Sequence, residues 1–439
     1  MEYGSDKTIA IVDGYSTGRE LARELSAKGV RCVHVRSTAQ MPPAVARSFD
    51  PGRYDEDLGH LGTVEAAALR LSALRPHAVV AGSEWGVSYA EQLAYVMDLP
   101  ANRMETLRAR RDKFEMIEAL RARGLHCAEQ IVTASALEAR RWASRKGNWP
   151  VVVKPLDSAS SEGVVICFND ADIERAFAQA LNRGNLLGAV NDRLLVQSFL
   201  AGPQFIVNTI SCGGRHFVTD AWHVGLRMVQ GASVAAEWVR LLDPAATPWK
   251  RLLPYTRDAL GALGVQNGAA HAELKWTPRG PALIEAGARL MGGAMDWEPY
   301  AAAGMQTQAE RYADLLAGAG WSHRADHGEA PAGLPPQAHY TFRRPFAKAF
   351  FVFAHDGLVR GTGGLAKLRL LPSFHSHHRP LEAGARVWRT ADSFFCGGVV
   401  YLSHDDPGQL SADLQAFRAW NDAGELYDVA PAAMLRSAA

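Results

Sequence analysis

Apolar and polar positions along this chain fall into blocks whose period switches between two and three-to-four. Thr8–Asp13 (TIAIVD) is a short apolar run that predicts a buried strand, with a turn over Gly14–Gly18. In Arg19–Lys28, Leu21, Ala22 and Leu25 fall at helical spacing, and Gly29 lies just beyond as a C-cap. Arg31–Arg36 is a second strand. His77–Ala81 repeats the device, followed by the turn Gly82–Gly86 and a helix carrying Tyr89, Leu93 and Val96. Strands alternating with helices predict an N-terminal doubly wound α/β domain with a parallel sheet.

The texture changes after Leu99-Pro100. Arg103–Arg123 predicts one long charged helix ended by Gly124, and a second α+β block runs from Ile131 to Leu200. Phe205–Arg289 predicts strands joined by hairpin turns. Arg324–Pro336, rich in Ala, Gly and Pro, reads as a linker, and Phe342–Arg436 mixes strands with a helix around Gln409–Trp420. The expected architecture is multidomain, α/β and then α+β, with units at 1–102, 103–200 and 201–439 and a C-terminal subdomain from about 330.

Composition narrows the function. With 48% hydrophobic and 21% charged residues, the 439-residue chain has ample core material, which excludes disorder as its main state. Forty-seven Lys plus Arg against 46 Asp plus Glu leave a net charge of +1, no surplus for tracking a phosphate backbone, so nucleic acid is not an expected partner. No apolar stretch approaches the roughly 18 residues of a membrane helix, so no membrane is expected either. The first residues lack a secretory signal pattern, and Cys32, Cys127, Cys167, Cys212 and Cys396 form no Cys-x-x-Cys pair; a cytoplasmic, reduced enzyme is the expectation.

Three segments carry candidate chemistry. Glu84 follows a strand at the edge where open α/β sheets bind ligands; it would meet a cationic substrate group or simply complement a helix start. The Gly14–Gly18 turn lacks dinucleotide-site spacing and reads as an ordinary sheet-to-helix turn. In Trp149–Gly163 an apolar strand ends in Lys154, and a loop of small and hydroxyl side chains with Ser160, Ser161 and Gly163 follows. A lysine closing a buried strand needs a rim or an anion, and beside an amide-rich loop that anion would be a polyphosphate. Asn267–Arg289 is a hairpin around Thr277–Pro281, which sets Glu273 opposite Glu285, with Gly287 and Arg289 on the same face. Opposed carboxylates with Cβ atoms about 4.5–5.5 Å apart repel, so a divalent cation, or else Lys275 or Arg289 in a plain surface hairpin, must compensate them.

Taken in order, these pieces resemble the ATP-grasp superfamily: an α/β domain, Arg111-Asp112-Lys113, Lys154 and its loop, Leu194–Gln204, and the Glu273/Glu285/Arg289 hairpin. The resemblance implies that Lys113 and Lys154 hold the ATP phosphates, with Ser160, Ser161 and Gly163 in the closing loop. It places the backbone of Gln197, Ser198, Phe199 and Leu200 at adenine, Gln204 near the ribose, Mg²⁺ (with Mn²⁺ able to substitute) on Glu273 and Glu285, and Arg289 at the reacting groups. Two departures stand out: Gln197 and Gln204 replace the usual glutamates, and Gly287 replaces an asparagine metal ligand. Glu285–Gly293 (EAGARLMGG) and the C-terminal region are similar to bacterial L-amino-acid ligases, which join amino acids into dipeptides or related amides, as in antibiotic biosynthesis. That likeness implies carboxylate and amine substrates, an acyl phosphate intermediate, substrate contacts from Glu84 and Gly293, and a homodimer. The alternatives are a carboxylase or purine-pathway-type ligase on the same core, and a non-catalytic nucleotide-binding module. His223 and His271 are candidates for the amine's base, though structural roles suit both; the Ser373–His378 cluster reads as a solvated loop rather than a metal site.

Overall fold

The structure, a computed structural model, describes residues 7–147, 149–158, 162–185, 188–229, 233–293, 295–318, 340–390 and 397–431. Ser160, Ser161, Cys396 and the expected linker lie outside the described residues.

Four parallel strands open the chain, in the order Glu56–His60, Arg31–Arg36, Thr8–Val12, Ala78–Ala81. Helices Gly18–Ser26, Val64–Ser72 and Val87–Val96 pack on them. The pattern did not announce Glu56–His60, because EDLGH has a single buried position. A Cβ on Gly18 would stand 2.5 Å from the Gly82 carbonyl oxygen, and one on Gly82 2.7 Å from the Gly14 Cα. The two turns therefore cross backbone to backbone at the carboxyl edge of the sheet, which explains their glycines without a phosphate.

The long charged helix is a correction. Arg103–Arg123 consists of two 3₁₀ turns, Met104–Thr106 and Arg108–Arg110, and a helix over Lys113–Ala122. Asp112 breaks the run: its extended backbone stops the turns, and its carboxylate accepts from Phe114 N at 2.8 Å and Glu115 N at 3.1 Å. Lys113 is thereby fixed at the start of the helix.

An antiparallel four-stranded sheet follows, in the order Gln130–Thr133, Leu194–Ser198, Val151–Pro155, Val165–Cys167. The larger antiparallel sheet runs Gly280–Gly287, Gly268–Thr277, Gln204–Cys212, Arg215–Val229, Ser233–Leu241, Phe346–Phe350, Val399–Ser403, Phe374–His378. The Phe205–Arg289 region is not strands alone, since Trp249–Ala262 is a helix whose buried Leu252, Leu253, Thr256 and Leu260 follow the helical period despite Pro254. Pro407–Asp422 forms the expected late helix. One core runs from Ile9 and Ile11 through Phe205, Trp222 and Leu283, so the hairpin edge and the N-terminal sheet are packed together. Among the described residues no helix is long and apolar enough to cross a membrane.

Candidate active site

Glu273 does pair with Glu285, by a different route from the expected five-residue loop. Thr277 pairs with Gly280 around a two-residue turn, and a bulge between Glu273 and Leu274 restores the register. The two acids border a cavity of about 320 Å³ between the two antiparallel sheets. Lys113, Lys154, Ser198, Phe199, Leu200 and Arg289 border it too, as do Gln197, Gln204 and Gly293.

Lys113 stands between the opposed acids and the Lys154 strand. Its Nζ lies 3.3 Å from Glu285 Oε2 and donates to the Ser158 carbonyl at 2.8 Å. Lys154 is 3% exposed at the end of its strand. Burial pushes its ammonium down to about 8; Glu285 and Glu273 pull upward, while Lys113 adds to the fall.

Glu273 is held from two sides, by Gln204 Nε2 at 3.0 Å and by His271 Nε2 at 3.2 Å. His271 Nδ1 lies 2.8 Å from Asn208 Oδ1, and Asn208 donates in turn to Asp220. These contacts explain Gln204 physically, because a glutamate there would add a third carboxylate against Glu273. They also occupy both nitrogens of His271, while His223 stacks on Phe205 and meets Trp238 edge to face. The Gln197 amide donates to Gln130 at 3.1 Å. Gly163 (φ 68°) packs near Pro155, apart from the cavity lining. Phe374–His378 is an edge strand rather than a loop, in which His377 contacts the Gly397 carbonyl and His378 pairs with Asp296 at 3.2 Å.

Glu84 reaches the cavity through Arg289, whose Nε donates to Glu84 Oε2 at 2.7 Å. Arg111 binds the other carboxylate oxygen and spans to Asp157 at 2.8 Å. Burial would raise the Glu84 pKa, but Arg289 and Arg111 overcome it and hold the group down to about 2. Sequence reasoning did not single out the Arg111–Glu84–Arg289 chain. A Cβ on Gly287 would come 3.1 Å from Glu84 Oε2 and 3.4 Å from Arg289 Cζ. The glycine in place of an asparagine thus makes room for that ion pair. The acid pair with its interposed lysine suits a hard divalent cation bound through one or two carboxylates and substrate phosphates.

No family model matches the chain. Dapdiamide A synthase from Enterobacter agglomerans is 35% identical over 303 residues, 67% of this chain and 69% of that protein. The chain belongs to the ATP-grasp ligases. The L-amino acid ligase from Bacillus licheniformis superposes with a TM-score of 0.71 at 16% identity, covering 97% of this chain and 98% of the other. The N5-carboxyaminoimidazole ribonucleotide synthetase from Thermotoga maritima does so with 0.63 at 17% identity, covering 97% and 99%. These two likenesses establish the shared fold. As a member of its family, the protein is an ATP-dependent ligase that forms an amide bond.

Gly287→Asn in this ligase should push Glu84 off Arg289 and lower kcat/KM at least about tenfold, with a smaller change in KM for ATP. Steady-state kinetics checks this, and unchanged values would mean that the pair relocates without cost.

Proposed function

We propose that this ATP-grasp ligase joins an amino acid, or a carboxylate built from one, to an amine through an acyl phosphate, in the cytoplasm and in the making of a small peptide or specialised metabolite. The reading is carried by the convergence of two opposed acids, two lysines and Arg289 on one cavity. The names of the Enterobacter agglomerans and Bacillus licheniformis proteins support the substrate class, and among the described residues the buried thiols of Cys32, Cys127, Cys167 and Cys212, none in a disulfide, support a reducing compartment. The assignment of units to 1–102, 103–200 and 201–439 and the formation of a homodimer belong to the same reading.

A carboxylate is a poor electrophile, because its substitution would have to expel oxide. Transfer of the ATP γ-phosphoryl to it makes phosphate the leaving group, and attack by a neutral amine then yields the amide, ADP and phosphate. Lys113 and Lys154 screen the triphosphate from two sides so that one anion can approach another. The backbone of Gln197–Leu200 faces the adenine. Glu273 and Glu285 would hold Mg²⁺, which would supply charge neutralisation to the triphosphate. Arg289 offers a planar fork to the carboxylate and then to the oxyanion, oriented by Glu84, while Gly293 leaves space on the substrate side.

Two results test the reading. Phosphate release over pairs of amino acids, with mass spectrometry of the product, should detect a dipeptide or related amide; release that requires bicarbonate instead would move the protein to a carboxylase. The pH dependence should report Lys154. Triphosphate selects the charged lysine, and the free enzyme loses that proton as pH rises through about 8, so KM for ATP should rise above that point, approaching tenfold per pH unit. A KM flat from pH 7 to pH 9.5 would remove Lys154 from the phosphate site.

A further inference from the structure

A second concavity, of about 970 Å³, opens at the far end of the large sheet and shares no lining residue with the reaction cavity. The strand Gln204–Cys212 connects the two: Gln204 borders the first, and the Gly213-Gly214 turn after Cys212 borders the second. Eight residue steps at about 3.4 Å separate them by roughly 27 Å. The helix Lys113–Ala122 makes the same crossing, with Lys113 at the first cavity and its C-cap, Arg123, at the second.

Arg103, Arg123, Arg215 and Arg257 all border this concavity, and among the described residues none of them forms an ion pair. The single acid on its border is the exposed Asp258. The whole chain carries a net charge of only +1, so the excess of positive charge is local. A guanidinium in solvent is unremarkable by itself: Arg123 complements a helix C-terminus, and Arg215 Cζ lies over the Phe217 ring, 5.5 Å from its centre. Arg257 differs. It is half-buried on the helix Trp249–Ala262, and burial lowers its pKa with no acid pulling back.

His216, beside Arg257, forms the inner wall. It borders the concavity and is 8% exposed, with Nδ1 2.7 Å from the Oγ of the fully buried Ser211 and Nε2 without a protein partner among the described residues. Burial, and then Arg257, hold its pKa down to about 4, so the ring is neutral. With Ser211 donating to Nδ1, the ring proton sits on Nε2 and makes it a donor to the concavity. A buried donor and a half-buried guanidinium without partners are costly unless an acceptor meets them.

We propose that this concavity binds a small anion with two or more negative charges, seated on Arg257 and His216 Nε2 and held at the rim by Arg103, Arg123 and Arg215. Guanidinium forks match phosphoryl and carboxylate oxygens alike, so two sources share the chemistry: a phosphorylated small molecule or a polycarboxylate. The volume suits either. The site is separate from the ligase chemistry and does not rest on it.

Calorimetric titration of the enzyme, with its reaction cavity filled by Mg²⁺ and a non-hydrolysable ATP analogue, tests the proposal. Fructose 1,6-bisphosphate is the phosphoryl probe and tricarballylate the carboxylate probe. At least one should bind with one site per chain, and the affinity should fall at least tenfold in Arg257→Gln and in Arg215→Gln. Melting curves confirm that the variants fold, and because Arg215 is exposed its variant keeps the test in force if Arg257→Gln does not. The local readout is the His216 ring signal in NMR, identified by its loss in His216→Gln, which the bound probe should shift. No saturable binding of either probe, affinities unchanged in the folded variants, or binding that leaves the His216 signal in place overturns the proposal.

Discussion

Arg289→Ala should lower kcat by at least about a thousandfold while changing ATP affinity by less than about threefold. The arginine is built into neither the lysine pair nor the Gln197–Leu200 segment; it follows the hairpin strand Gly280–Gly287 and is aimed by Glu84, with Nε spent on that carboxylate and Nη1 on the Leu290 carbonyl at 2.9 Å. A side chain anchored in this way can meet charge that develops during transfer without reorganising, which is where enzymes gain most from a fixed dipole or cation. Arg289→Lys should rescue little, because a point charge cannot bridge two oxygens in a plane. The substitution also removes the first of the cations that hold Glu84 ionised, while Arg111 and Lys113 remain. Glu84→Gln is therefore the control: it disturbs the aim of Arg289 but keeps its charge, and its loss should be smaller. Stopped-flow phosphate release and equilibrium titration with nucleotide separate the two quantities. A variant that turns over normally once saturated, but binds ATP poorly, would move Arg289 to the nucleotide.

What the sequence disclosed and what it hid follow a physical rule. Glu273 facing Glu285 was legible because one hairpin with period-two alternation contains both, so local turn chemistry sets their meeting; even the miscounted loop was absorbed by a bulge. Lys154 was legible because a charge closing a run of valines contradicts its surroundings. The ion pairs of Arg110 and Arg111 were not, since RARRDK reads as part of one long charged helix. Their partners Glu91 and Glu84 belong to the N-terminal domain and meet them only in the folded chain. Gln204 was legible only as a departure from a glutamate near the ribose; its reason lies in its strand running beside Gly268–Thr277, with Gln204 against Lys275 and its amide on Glu273.

The Arg111 fork links three segments of the chain. It joins Glu84, at the carboxyl edge of the parallel sheet, to Asp157, three residues beyond Lys154, and through Glu84 to Arg289. The lysine-bearing sheet and Arg289 are thus referred to one carboxylate. A change at Arg111 should therefore disturb the chemical step as well as nucleotide binding.

Glu285→Gln is the sharpest test of the metal assignment, because the competing account predicts the opposite pattern. If Glu273 and Glu285 hold Mg²⁺, removing one negative oxygen should raise the Mg²⁺ concentration for half-maximal activity by more than tenfold and lower kcat by roughly a hundredfold. The metal-free variant should melt close to wild type: the like-charge opposition to Glu273 disappears, offsetting the loss of the 3.3 Å contact with Lys113. If Glu285 serves only to neutralise Lys113 in the fold, the magnesium titration stays where it was and the melting temperature falls. One account shifts the magnesium titration and leaves the melting temperature, the other does the reverse, and a magnesium titration with a melting curve on one purified variant decides between them. Glu273→Gln should show the same metal dependence, with an added structural cost, because Gln204 and His271 both contact that carboxylate.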